Sequence, residues 1–150
     1  MDWWRGSVES NPMAAYQAHL AEIRDRLPEA LLWLQEGFRL HDATVSRTWY
    51  DSTSNVLEID LVGDNDTDDP HQCDRARRYE LRYSRIVSVQ TTIDRGGPLP
   101  GPKGYGDLGY TEVDLTIEGH FEHRLLFSSG IEMQIVFGSF HLVWEDLEPH

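Results

Sequence analysis

The chain has one cysteine, Cys73, so no disulfide can form within it, and a reducing cytoplasm is the expected setting. Lysine is nearly missing as well: Lys103 stands alone against twelve arginines, and all bases together number 13 against 26 acids, a net charge of −13. Long apolar runs are absent; none approaches the ~20 residues that a membrane-spanning helix needs. The opening Met1-Asp2-Trp3-Trp4-Arg5 lacks the basic and then apolar stretch of a secretory signal. A field of negative sign repels phosphate backbones and anionic lipid and attracts basic proteins, so neither nucleic acid nor membrane is an expected partner.

What is present suffices for a core. An apolar fraction of 39%, with 11% aromatic, in 150 residues fits a single domain that needs no metal or disulfide staple. The charge is unevenly spread: residues 1–40 hold 6 acids and 4 bases, whereas residues 41–150 hold 20 and 9.

Asn11-Pro12 reads as a helix start, and Met13, Tyr16, Leu20, Ile23 and Leu27 recur at helical steps. Pro28 interrupts, and a second helix runs through Ala30, Leu31, Trp33 and Leu34 towards Gly37. From residue 43 the period becomes two. Alternation predicts strands over Thr44–Tyr50, Val56–Val62, around Tyr79–Tyr83, Tyr110–Ile117, Phe121–Phe127 and Ile131–Phe137. Residues 86–92 extend the third or stand apart, and Phe140, Leu142 and Trp144 suggest a last strand. Short links at Glu118-Gly119 and Ser128-Ser129-Gly130 favour antiparallel hairpins. The expectation is an α+β domain over 1–150, with helices over 12–36 on one face of an antiparallel sheet of about five to seven strands over 43–144. Leu115, Leu125, Ile135 and Phe137 should face inward. Glu58, Asp60, Glu80, Glu112, Asp114, Glu122 and Glu132 should face solvent.

Several patterns invite chemistry and fail on context. Gly104-Tyr105-Gly106-Asp107-Leu108-Gly109 spells a dinucleotide fingerprint, but a Gly/Pro loop precedes it and a strand follows, where a cofactor needs strand and then helix. Asp64-Asn65-Asp66-Thr67-Asp68-Asp69 opens like a calcium loop, but its sixth position is Asp69 and its twelfth is Arg75 rather than glycine and glutamate. His120 and His123 form one close pair without a second, and residues three apart on a strand point to opposite faces. Cys73 has no adjacent activating base. His41 and Asp42 sit where helices hand over to strands and suit turn-forming roles. Trp3 and Trp4 suit packing beneath the first helix, and Arg75, Arg77, Arg78, Arg82 and Arg85 suit pairing with acids in the sheet. No metal, cofactor or catalytic set is expected.

The run Leu40-His41-Asp42-Ala43-Thr44-Val45, followed by alternating strands and by Phe127-Ser128-Ser129-Gly130-Ile131-Glu132-Met133-Gln134-Ile135-Val136-Phe137, resembles a pattern in small bacterial proteins, some of them similar to immunity proteins of polymorphic-toxin systems. The resemblance covers about residues 38–144 and brings no catalytic residues with it. It implies an inhibitor that binds and neutralises a toxin. With the charge, it gives the expectation of a basic toxin partner met by Asp64, Asp66, Asp68, Asp69, Glu112 and Asp114, with the loop 95–109. Two other classes remain open: a small-molecule binder or enzyme with its pocket under that loop, and a subunit that pairs with another copy through a sheet edge.

Overall fold

Among the described residues eight strands, not five to seven, take up the alternating pattern, and they divide between two sheets. The computed structural model describes residues 12–36, 40–64, 76–93 and 102–147. Helices α1 (Pro12–Ile23) and α2 (Glu29–Glu36) come first, joined through a 3-10 turn at Arg24–Arg26. Strands β1 (Thr44–Asp51), β2 (Val56–Asp64), β3 (Ala76–Ser84) and β4 (Ser88–Ile93) follow. Next come β5 (Leu108–Leu115), β6 (Phe121–Phe127), β7 (Ile131–Phe137) and β8 (Ser139–Asp146). The first sheet has the order β1-β2-β3-β8 and the second β4-β7-β6-β5, with every neighbouring pair antiparallel. The fold is therefore α+β, with the helices packed on antiparallel sheets.

One pair of neighbouring strands passes from one sheet into the other and is divided there into four, which is why the strand count exceeds the expectation. β3 pairs with β8 up to Ser84↔Ser139, and β4 pairs with β7 from Ser88↔Val136. Between them the backbone turns a corner, the usual way for strands to switch sheets. Gly138 N–H donates to the carbonyls of both Ser84 and Arg85 at 3.1 Å. Arg85 Nη2 donates back to the Gly138 carbonyl at 2.9 Å. Arg85 holds φ +52°, a left-handed conformation costly for a side-chain-bearing residue. A Cβ on Gly138 would lie 2.9 Å from Arg85 Nε and 3.0 Å from Arg85 Cβ.

The apolar faces of the two sheets pack on each other. Ile59, Leu61, Tyr79, Leu81 and Tyr83 from the first meet Val113, Leu125, Ile135 and Phe137 from the second, all with no solvent exposure. Leu115 is only partly buried, against the expectation for it. Tyr83 stands edge-on to Phe137 at 4.9 Å. Its hydroxyl lies 2.7 Å from His123 Nδ1, joining the sheets through one polar contact in an apolar layer. Burial pushes the His123 imidazole down to about 3 and the Tyr83 phenol up.

The helices lie against the outer strands of the sandwich, α1 along β5 and α2 reaching both β5 and β8. Their polar side chains take the place of a missing neighbour strand. The Tyr16 hydroxyl accepts from Val113 N–H at 2.7 Å and donates to the Val113 carbonyl at 3.2 Å. Gln35 Nε2 donates to the Thr111 carbonyl at 2.9 Å, and its Oε1 accepts from Thr111 Oγ1 at 2.8 Å. Trp33 of α2 stacks on Trp144 of β8 at 6.1 Å. No described helix is long and apolar enough to cross a membrane.

Two tests follow from this packing. Gly138→Ala should cost about 1–3 kcal/mol by overpacking. Arg85→Gly, which removes both clashing atoms and the left-handed strain, should erase most of that cost. Additive behaviour in the double variant would break the corner account. His123 is neutral when folded and charged when unfolded below its ordinary value, so its stabilising contribution is present above about pH 6.5 and lost as pH falls towards 3. The stability advantage of the parent over His123→Gln should therefore shrink by roughly 1.4 kcal/mol per pH unit across that window, as read by urea unfolding.

Candidate functional site

The outward face of the first sheet is where charge is held at a cost. Antiparallel register sets its side chains in rows across the strands. One row runs Trp49, Glu58, Arg82, His141, and the next Arg47, Asp60, Glu80, Val143. Glu58 and Asp60 lie two apart on β2 and so share this face, while Asp60 and Glu80 lie directly opposite each other. Like charges directly opposite destabilise a sheet.

The three acids are not equally relieved. Glu58 accepts from Arg82 Nη2 at 2.9 Å and from Arg82 Nε at 3.3 Å. Glu80 has Arg78 Nη2 at 3.8 Å, although that guanidinium also bonds Glu145. Asp60 is 7% exposed, and its Oδ1 is buried without a hydrogen-bond partner. Arg47, its row neighbour, sits 5.4 Å over the Trp49 ring, and its positive charge offsets only part of the shift at Asp60. Burial, and then the negative charges of Glu58 and Glu80, push the Asp60 carboxyl up to about 6. At neutral pH the folded protein thus keeps an ionised carboxylate in a place that resists it. Such displaced groups concentrate at functional sites. Trp49 and Val143 flank the cluster, 48% and 43% exposed.

The expected contact acids fall only partly within the described residues. Asp64 ends β2, opposite Ala76, and Asp66, Asp68 and Asp69 lie outside the described residues. Glu112 is 2% exposed. Asp114 is engaged by His19 Nε2 at 2.7 Å and by the Leu115 N–H at 2.8 Å. The expectation that every outward acid faces solvent also needs correction. Glu58, Asp60, Glu112 and Glu122 are all buried. At Glu58 and Glu122, arginines that bond the carboxylate, Arg82 and Arg124, lie on the same face.

Other singled-out residues find structural places. Arg77 bonds Asp146 at 2.7 Å and lies over Trp144 at 4.1 Å. The His41 ring contacts Asp42 at 3.0 Å on the exposed surface, and Asp42, with φ +64°, donates its N–H to the Leu108 carbonyl at 2.8 Å. His123 is in the core, and among the described residues no three His, Cys, Asp or Glu side chains are placed to share a metal ion. Cys73, Trp3 and Trp4 lie outside the described residues.

No protein-family model and no curated protein matches the chain.

The described end of the Gly/Pro-rich loop is fixed to the body. Tyr105 is buried against Phe127 at 5.1 Å, Asp107 N–H donates to Ser128 Oγ at 2.9 Å, and Leu108 N–H donates to the Ala43 carbonyl at 2.7 Å. Gly106 has φ +75°, and a Cβ there would meet Ser128 Oγ at 2.4 Å. The hollow beside it, between Leu40, His41 and Leu108–Thr111, holds about 10 Å³, room for roughly one water.

The Asp60 assignment has a stability signature. A carboxyl whose folded value is raised to about 6 favours folding while protonated and costs stability once pH rises through that value. Asp60→Asn should therefore unfold at higher urea than the parent at pH 8, by about 1–3 kcal/mol, and match it near pH 4. No gain at pH 8 would mean that the ionised carboxylate is already compensated.

Proposed function

We propose that the chain is a protein-binding module for a basic partner, with the acidic outer face of the first sheet as its contact surface. The observation that carries this reading is Asp60, a buried carboxylate facing Glu80 with one oxygen unbonded. A partner's lysine or arginine placed there relieves the like-charge repulsion and supplies the missing hydrogen bond, so a cost in the free protein becomes affinity in the complex. Arg47 and Trp49, exposed side chains on the same face, would have to move aside for a partner's base to reach the carboxylate. Trp49 and Val143 then serve as apolar contacts at the ends of the two rows. The net charge of −13 steers a basic partner towards the chain.

The resemblance of Leu40–Val45 and Phe127–Phe137 to immunity proteins supports a bacterial toxin domain as that partner, neutralised by binding in the cytoplasm with no catalysis, metal or cofactor. The acidic run Asp64, Asp66, Asp68, Asp69 belongs to the steering field in this reading, and Asp60 and Glu80 to the contact.

The two roles separate kinetically. With the product of the adjacent gene as the first candidate partner, Asp60→Asn with Glu80→Gln should raise the dissociation rate at least about tenfold without lowering the melting temperature. Replacing Asp64, Asp66, Asp68 and Asp69 by Asn and Ser should mainly slow association and flatten its salt dependence. A partner whose binding ignores Asp60 and Glu80 places the contact elsewhere, and the absence of any basic partner in the native host removes the reading altogether.

A further inference from the structure

We propose that a second copy of this chain docks on the outer edge of β4, joining two second sheets into one continuous antiparallel sheet. β4 is Ser88-Val89-Gln90-Thr91-Thr92-Ile93, six residues without one charge in a chain that is 26% charged. It pairs with β7 on one side, and no described residue bonds its other side. Proteins ordinarily guard such an edge with charge, proline, a bulge or a covering element. The other outer strands are guarded: β5 by Tyr16 and Gln35 bonded to its backbone, β1 by the charges of Arg47 and Asp51, and β8 by those of Glu145 and Asp146. β4 has none of these devices and is rich in β-branched residues. Val87 just before it and Val89 within it are 55% and 42% exposed, and they border an open cleft of about 370 Å³ shared with Tyr50, Leu57 and Ile86.

The strand is complementary to itself. A two-fold axis perpendicular to the sheet, centred on Thr91, keeps the inward faces of both copies on the same side. It sets Val89 of one copy beside Ile93 of the other, Gln90 beside Thr92, and Thr91 beside Thr91. These are β-branched, apolar and hydrogen-bonding cross-strand pairs of the stabilising kind, repeated twice by the symmetry of an isologous contact. This self-complementarity selects the occupant, and charge selects the place of contact. Two chains of −13 each repel over most of their surfaces, and this uncharged strip lets them meet without opposing carboxylates. The inference stands independently of the basic-partner reading, whose surface lies on the other sheet.

Sedimentation velocity across about 5–500 µM, at about 0.05 M and about 0.5 M salt, is the test. A concentration-dependent shift from monomer to dimer is expected, and the dimer fraction should rise with salt because screening weakens the repulsion. Gln90→Lys with Thr92→Lys sets lysine against lysine twice and should weaken the dimer at least about tenfold. Gln90→Glu with Thr92→Lys restores opposite charges in the same register and should recover it. A chain that stays monomeric throughout, or a dimer indifferent to the double-lysine variant, overturns the proposal. So does amide protection of residues 88–93 that appears only when another protein is added.

Discussion

The corner at Arg85 and Gly138 is the constraint on which the rest of the structure rests. Two adjacent strands must leave one sheet and enter another together without losing each other's hydrogen bonds. Gly138 makes this feasible by lying flat against Arg85, with its N–H shared between two carbonyls at 3.1 Å. The inward-facing set changes parity there, from Phe137 on β7 to Phe140 on β8, so both rings reach Tyr83, at 4.9 and 5.2 Å. Without that one-residue slip, β8 would turn Leu142 and Trp144 to solvent and His141 and Val143 to the core.

Once the sheets are folded onto one another, their outer strands become the places where backbone groups lack partners. The N-terminal helices close one side, and they do so with polar side chains. Tyr16, with no exposure, satisfies both the N–H and the carbonyl of Val113, which saves an edge that would otherwise be buried unbonded. Burial and the nearby Glu112 push its phenol up, keeping the proton with which it donates. The side bearing β4 receives no equivalent among the described residues. The two edges of the second sheet thus differ in protection, and β4 differs from β1 and β8 in carrying no charge.

Much of this was legible in the residues themselves. The change of period at residue 43, the turn at 51–55 and the alternation in β2, β5, β6 and β7 locate those strands within a few residues. Helix α1 follows from Pro12 and the spacing of Tyr16, Leu20 and Ile23. Division into two sheets was not read, although Phe137 and Phe140, three apart across a glycine, break the period of two and mark the corner. The site was harder. Alternation places Glu58 and Asp60 on one face and Glu80 on a face of its own strand, but opposition of Asp60 to Glu80 is a matter of register. Residues 65–75 separate β2 from β3, and so long a separation carries no short hairpin signal that would fix the register in advance. Residues 64–69 are conspicuous for abundance of acid, whereas the property behind the proposal is how poorly a single carboxylate is compensated.

Two buried titratable groups show how the fold and the candidate site act against each other. His123 is neutral in the core, with its value lowered to about 3, and resists acid; Asp60 is raised to about 6 and resists alkali. Between about pH 4 and pH 6 the unfolded chain gains a proton at histidine while the folded chain gains one at Asp60, so their effects on stability oppose each other. Above that range His123 contributes its full share while Asp60 is ionised at a cost. The histidine follows from building a core in which a hydroxyl joins the sheets. The carboxylate follows from nothing in the core: an asparagine would fill the same space without the charge. In the reading proposed above, a basic partner is what would offset this cost.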